Sequence, residues 1–480
     1  MNRRRFIYRS SAFVALFRSA LRAQSRNTVK ITVDPNKAIA TIPRDMIGLS
    51  YEITQLGDPY FFSAKNKELI HVFQTLSPSG VLRLGGNTSE FTYFASSEGV
   101  RPPAYSPLPT QPKSLTAITP KALHHLRAFL EKTGWSCIYG LNLGLGTPER
   151  AAEEAEVVSR ILGPRLKYLQ IGNEANNYVR YQLRPASWGP EIFMEQWSDF
   201  AKAILARLPH AKLGGPDMAA DPAWVYPFAE KFSSGFGKSL VELTDHFYAE
   251  GPPGIPASDI DHLLHNLKVE KEIDVMKTAG TRTRLPYRMT EVNSCYQGGQ
   301  PGVSDTFAST LWGGDLTLKL ISEGFSGVNF HGGSSKEIKA SLGGVLPGDS
   351  SAKKGADDSY YTPIAGTSAL GYTVRPIFQG MAMAAHAAGC TLLETACTDP
   401  RIRAYGVQTV TGLEVLQFNM SREPVQLVLN VGSGFRADQA HILSSLALDS
   451  AVIHQEDRKL NSNSIDLPAG CASRIVFKKT

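Results

Sequence analysis

Two segments of this sequence each deliver a carboxylate at the end of an apolar run: Tyr168-Leu169-Gln170-Ile171-Gly172-Asn173-Glu174 and Arg288-Met289-Thr290-Glu291-Val292-Asn293. A buried carboxylate is costly unless it is paired or functional, so two aimed into one cleft form a constellation with chemical meaning. Two carboxylates facing a glycosidic bond are what sugar hydrolysis requires. Held about 5–5.5 Å apart, one acts as nucleophile and the other as acid and then base; about 6.5–9.5 Å apart, they activate water for inversion. Asn173, beside Glu174, suits a hydrogen bond to the sugar 2-hydroxyl, a contact that strengthens in the transition state. A third contributor is His246-Phe247-Tyr248, in which Tyr248 is suited to hydrogen-bond a nucleophilic carboxylate and hold it ionised. Plainer roles compete: either Glu alone could cap a loop or pair with an Arg, and Tyr248 could be a half-buried aromatic. The two Asn-flanked contexts taken together favour chemistry. Other reaction classes lack their minimum parts, because the chain has no G-x-S-x-G elbow, no H-E-x-x-H and no phosphate-binding loop.

Something must hold these groups at one rim. From about residue 45 to residue 333 short apolar runs alternate with helical patterns, the signature of βα repeats. The strands expected in order are Met46–Tyr51, Val81–Leu84, Cys137–Leu143, Leu166–Ile171, Lys212–Gly214, Leu243–Phe247, Tyr287–Glu291 and Gly327–Phe330. Two of the intervening helices open with a Thr N-cap and a Pro, at Thr119-Pro120 and Thr147-Pro148. Eight such units predict an α/β fold of the (β/α)8 barrel type, with chemistry at the C-terminal ends of the strands. An open doubly wound sheet would want a glycine fingerprint after the first strand, and Ser50-Tyr51-Glu52 is not one. After about residue 370 short alternating strands at Arg403–Val407, Leu413–Phe418, Val425–Leu429 and Arg474–Phe477 predict an accompanying antiparallel β-sandwich, which Val29–Val33 would join from the N-terminal side. The expected division is therefore 1–25 as an export signal or basic tail, 26–44 as N-terminal strand, 45–368 as catalytic barrel and 369–480 as sandwich. Residues 334–359, polar and rich in Gly and Ser, read as a long loop over the barrel mouth, either a substrate lid or disorder.

The longer motifs carry a family resemblance. The Asn-Glu at strand four and the Glu at strand seven resemble clan A retaining glycosidases. Leu82-Arg83-Leu84-Gly85-Gly86-Asn87-Thr88, Ile171-Gly172-Asn173-Glu174-Ala175, Glu291-Val292-Asn293-Ser294-Cys295-Tyr296-Gln297-Gly298-Gly299, Ser304-Asp305-Thr306-Phe307-Ala308 and Tyr361-Thr362-Pro363-Ile364-Ala365 resemble glycoside hydrolase family 79, which holds exo-acting β-glucuronidases and heparanases. The resemblance implies that Glu174 is the acid/base and Glu291 the nucleophile, with retention of configuration. It implies sugar-hydroxyl ligands at Glu52, Asn87 and Asn173. It implies a uronate carboxylate pocket from Tyr296 and the backbone of Gln297, Gly298 and Gly299, where glycines let N–H groups approach an anion and a Tyr hydroxyl adds a donor. The family tends to carry a Tyr shortly after His-Gly-Gly at strand eight; here Ser334-Ser335 follows, and Tyr360-Tyr361 comes only after the insertion, so one of those two is expected to take the carboxylate-binding role.

The activity expected on these grounds is that of a retaining exo-β-glucuronidase acting on terminal β-linked glucuronic acid. An endo-acting, heparanase-like enzyme on glycosaminoglycans and a non-catalytic carbohydrate-binding protein are the rivals. No metal or organic cofactor is expected, since side chains fill both catalytic roles. Lys+Arg exceed Asp+Glu by 50 to 44, but six of those Arg lie in the first 23 residues, where there is no acidic residue; the remainder is balanced at 44 against 44. That balance argues against a nucleic-acid partner and against a strongly sulfated one. Asn2-Arg3-Arg4-Arg5-Phe6 followed by Ala12–Phe17 resembles a twin-arginine export signal, which would place the protein in the periplasm or outside the cell. No other segment approaches the roughly 18 uninterrupted apolar residues of a spanning helix. Five widely spaced Cys form no CxxC pair; Cys390 and Cys397 are the one pair suited to a bridge, against buried free thiols for the rest.

Overall fold

The computed structural model describes residues 27–97, 99–107, 113–219, 221–265, 267–341 and 359–480. The arginine-rich segment read as an export signal, and Lys353-Lys354 of the loop, lie outside the described residues.

Eight parallel strands close into a barrel: Ile47–Glu52, Val81–Gly85, Ser136–Leu141, Leu166–Ile171, Leu213–Ala219, Leu240–Glu250, Tyr287–Cys295 and Val328–Gly332. Each lies at the position expected from its apolar run. The strands are buried along nearly their whole length, as parallel strands covered by helices must be, which is why they read as continuous apolar runs rather than alternations. The two capped helices form as the sequence requires. Thr119 accepts a hydrogen bond from the Ala122 N–H ahead of Pro120–Thr133, and Thr147 accepts one from the Arg150 N–H ahead of Pro148–Leu162.

Nine further strands build one curled sheet, ordered His454–Lys459, Phe435–Ser444, Cys471–Lys479, Leu413–Asn419, Ile402–Gln408, Thr391–Cys397, Asn27–Thr41, Val425–Asn430 and Ser464–Leu467, and two short two-stranded sheets pair Ile364–Thr367 with Gly371–Val374 and Thr92–Phe94 with Thr116–Ile118. Asn27–Thr41 is an interior strand of the large sheet, antiparallel to Thr391–Cys397 and parallel to Val425–Asn430. Val29, Ile31 and Val33 alternate into that sheet's core. Two helices depart from the sequence reading. Ser335–Ser341 is helical where a loop was expected, and Pro376–Ala385, beyond the boundary at 368, packs on Phe307–Ser322 as part of the barrel's outer ring. The Met- and Ala-rich run of the second has no strand alternation, and Pro376 opens it. All five cysteines carry free thiols, so Cys390 and Cys397 are not bridged.

Phe307–Ser322 joins the two parts. A Cβ on its Gly314 would lie 2.4 Å from the Phe418 ring of the sheet, and a Cβ on Gly380 would lie 1.9 Å from the Thr310 carbonyl oxygen. The contact thus depends on the absence of side chains. Gly380→Ala is expected to destabilise the protein by about 1–3 kcal/mol through overpacking. Gly235→Ala, where an added methyl meets nothing within 4 Å, should be neutral or slightly stabilising; urea midpoints of the two variants compare them directly.

Candidate active site

At the C-terminal ends of the strands lies a cavity of about 660 Å³ lined by Glu52, Asn87, Asn173, Glu174, His246, Tyr248, Glu291, Tyr296, Gln297, His331 and Tyr361, among others. Its two central carboxylates are Glu174 and Glu291. Oxygen atoms of the two and a ring nitrogen of His246 all lie within 4.8 Å of one another.

Glu291 is tightly held. Its Oε2 accepts from Arg83 Nη1 at 2.6 Å and its Oε1 from the Tyr248 hydroxyl at 2.7 Å, with His331 Nδ1 at 3.5 Å. Burial raises its pKa, but His331, His246 and Arg83, with the Tyr248 hydrogen bond, outweigh burial and bring it down to about 2. The backbone aims it as well: the ladder between strands six and seven slips between Met289 and Glu291, a bulge that re-aims the side chain.

Glu174 is placed differently. It follows Gly172 (φ +82°) and itself has φ 45° and ψ 48°, a left-handed conformation uncommon for a residue with a Cβ. Its N–H donates to the Asp217 carbonyl at 2.8 Å. Oε1 accepts from His246 Nδ1 at 3.0 Å and Oε2 from Asn177 Nδ2 at 3.0 Å. Beneath the loop, Glu90 accepts from the Asn173 N–H at 2.9 Å, the Tyr178 hydroxyl at 2.5 Å and the Gly144 N–H at 2.5 Å. Burial raises the Glu90 pKa, against the lowering effect of these donors.

Arg83 links the two sides. Fully buried, it reaches Glu291 and Ser50 through Nη1, Asn173 and Asp217 through Nη2, and Gln170 through Nε. Asp217 also accepts from Gln170 Nε2 at 2.6 Å and Thr290 Oγ1 at 2.5 Å, and lies 3.1 Å from His246 Nε2. Burial lowers the His246 pKa, yet Asp217 and Glu291 more than reverse that and push it up to about 10. The spacing of Glu174, His246 and Glu291 would also suit a metal ion, but Arg83, a permanent cation, already donates to Glu291 and sits 3.4 Å from His246 Nε2, and its charge disfavours a second cation there.

Of the residues expected from sequence, Glu52, Asn87, Asn173, Glu174, Tyr248, Glu291, Tyr296, Gln297 and Tyr361 line the cavity. Gly298, Gly299 and Tyr360, expected there as well, are not among the residues lining it. Gln297, Gly298 and Gly299 all have positive φ, and the Gly298 carbonyl accepts from the Tyr360 N–H at 2.8 Å. A Cβ on Gly299 would sit 2.7 Å from the Tyr361 nitrogen. The glycines therefore let the Tyr361 segment pack closely, and Tyr361, not Tyr360, faces inward. Sequence reasoning gave no role to Arg83, although it lies in a quoted motif, and overlooked Asp217, Glu90 and the cavity-lining Tyr181. The acidic residues ending or following strands two and five were the available signal.

No family model matches the chain. Among curated proteins it is 26% identical over 306 residues to a β-glucuronidase of Aspergillus niger (58% of this chain, 55% of the relative). It is 25% identical over 349 residues to a β-glucuronidase of Neurospora crassa (64% and 60%). The likeness is to β-glucuronidases. It bears out the family resemblance carried by the sequence motifs, and the chain spans little more than half the length of these relatives. Among solved structures, a 4-O-α-L-rhamnosyl-β-D-glucuronidase from Fusarium oxysporum matches with TM-score 0.68 at 16% identity, over 94% of this chain and 100% of the other. A family 51 arabinofuranosidase from Xanthomonas axonopodis matches with TM-score 0.67 at 14% identity, over the same shares. At such identities these two bear on the fold alone: a closed (β/α)8 barrel with a β-sandwich domain.

Arg83→Leu should cost about 3–5 kcal/mol in urea denaturation, because it leaves Glu291 and Asp217 buried without their counter-cation. The Glu291 pKa is depressed on folding from 4.5 to about 2, so its stabilisation is present above about pH 4.5 and is lost as pH falls towards 2. The stability of the wild type should accordingly fall between pH 5 and pH 3, and that of Glu291→Gln should fall less steeply over the same interval.

Proposed function

We propose that the protein is a retaining exo-β-glucuronidase that releases terminal β-linked glucuronic acid from glycans or glycosides. The observation that carries this reading is the approach of Glu174 and Glu291 oxygens to within 4.8 Å. It matches the close pairing expected of a double displacement rather than the wider separation of an inverting pair. The charges divide the roles. Arg83 and the Tyr248 hydroxyl hold Glu291 as an anion, whereas Glu174 meets the His246 ring and the Asn177 amide and takes the proton-transfer role. In the first step Glu291 attacks the anomeric carbon while Glu174 gives its proton to the departing oxygen, leaving a glycosyl ester on Glu291. In the second, Glu174 takes a proton from water, whose oxygen displaces Glu291 from the same carbon. Two inversions give retention.

Glucuronide preference is supported by the names of the two curated relatives and by the hydroxyl-rich wall. The Tyr248 ring centroid lies 6.4 Å from that of Tyr296 and 6.2 Å from that of Tyr361, which clusters three phenols beside Glu291, and Gln297 adjoins them. We assign the uronate carboxylate to Tyr296, Gln297 and Tyr361, and the sugar hydroxyls to Glu52, Asn87 and Asn173. Exo action is supported by the helix Ser335–Ser341. Its buried Ile338 packs on Tyr361 and Tyr248, and its Ser341 lines the cavity, so this wall makes a pocket of small-ligand size rather than a groove.

A chromogenic β-D-glucuronide should be cleaved and the matching β-D-glucoside spared. Glu291→Ala should lose activity by about 10³-fold or more, and proton NMR should show the β-anomer as the first product. An α-anomer would exclude double displacement. Turnover of neither glycoside, with glucuronide binding intact, would favour a binding-only protein.

A further inference from the structure

Beneath the two glutamates, Asp217 stands apart from every residue the reaction needs to touch substrate. It does not line the cavity, yet it is 1% exposed and has a left-handed backbone (φ 62°) at a slip in the ladder between strands five and six. Thr290, at the matching slip between strands six and seven, donates to its Oδ1. Two bulges on either side of one strand are thus tied together by this carboxylate, an arrangement that spends backbone regularity to put a charge in one place. That charge sits between two cations. Arg83 Nη2 and His246 Nε2 are 3.4 Å apart, and both lie against the Asp217 carboxylate. The far side of each cation holds a different glutamate, Arg83 holding Glu291 at 2.6 Å and His246 holding Glu174 at 3.0 Å.

We propose that Asp217 is a positioning residue shared by both catalytic carboxyls, fixing Arg83 in place against Glu291 and keeping His246 a cationic donor to Glu174. Two like charges in contact inside a barrel repel strongly, and without the anion between them the imidazole would shed its proton or swing away. His246 faces Arg83 from strand two, Glu174 after strand four, Asp217 from strand five and Glu291 from strand seven; Gln170 and Thr290 are neutral partners of Asp217. Of these only Asp217 touches both cations and neither glutamate's oxygens. Burial works against protonation of His246, and Asp217 is the largest influence opposing it. A neutral His246 need not donate to Glu174, so the step that uses the Glu174 proton would survive to higher pH.

The test pairs a spectroscopic measurement with a kinetic one. Nitrogen-15 NMR of the ring, assigned by loss of the signal in His246→Gln, should show both nitrogens of His246 protonated from pH 5 to pH 9 in the wild-type protein. In Asp217→Asn the ring should lose a proton within that interval. The basic limb of the kcat/KM profile on the chromogenic glucuronide should then move up by about one pH unit. A neutral His246 at pH 7 in the wild type would overturn the proposal, and that measurement stands even if Asp217→Asn does not fold. An Asp217→Asn enzyme with lower kcat/KM but an unmoved limb and an unchanged imidazole would also overturn it, leaving Asp217 a purely structural residue. The kinetic arm rests on the glucuronidase reading, whereas the NMR arm does not. A protein that cleaves no glucuronide but keeps a cationic His246 that titrates on loss of Asp217 would refute the activity and retain the anchor.

Discussion

The Arg83 guanidinium and the His246 ring, 3.4 Å apart and both sealed from water, form the arrangement on which the rest of the site depends. Bringing a cation into the barrel costs several kcal/mol of lost hydration, and a charged His246 beside Arg83 would add repulsion. The carboxylates that offset this cost come from three places on the barrel, strands five and seven and the turn after strand four, while the cations come from strands two and six. No local segment could assemble the cluster, and a barrel that closes strand one onto strand eight brings all of these to one level. The Glu174–Glu291 pair thus rests on a charge balance beneath it as well as on the turn that carries Glu174.

Much of this was legible in the sequence, and the parts that were not share a physical reason. Apolar runs ending in Glu174 and Glu291 announced strands four and seven, and the Thr-Pro starts announced two helices, because in each case the signal is local. In the sequence, strand five has only the short run Lys212–Gly214, before Gly215-Pro216. In the fold those glycines serve packing: a Cβ on Gly214 would lie 2.4 Å from the Tyr168 ring, and one on Gly215 2.9 Å from Phe228. The strand runs on to Ala219 and carries Asp217 with it. Arg83 was visible in its motif, but its role is fixed only by partners 87, 134 and 208 residues away along the chain.

The glycines at Gly298 and Gly299 make a similar point about meaning. Read alone, they suit an anion held by backbone N–H groups. In place, they let one chain segment lie against another so that Tyr361 enters the wall. The fold is common to arabinofuranosidases and to a rhamnosyl-glucuronidase, so the barrel alone does not select the sugar. Around Glu291 the cavity is bounded by Tyr296 and Gln297, by Ser341 of the 335–341 helix and by Tyr361.

The strand Asn27–Thr41 has a consequence for how the chain is made. It lies inside the sheet, third from one edge, and both of its neighbours, Thr391–Cys397 and Val425–Asn430, follow the barrel strands in the chain. On the ribosome this apolar strand must wait with both backbone edges unpaired while eight βα units emerge and close. An unpaired strand of that kind invites association with other nascent chains, and its pairing is about as non-local as the length of this protein allows. Completing the sheet therefore requires segments that flank the whole barrel to meet, so the sandwich cannot close until the barrel between them has been threaded.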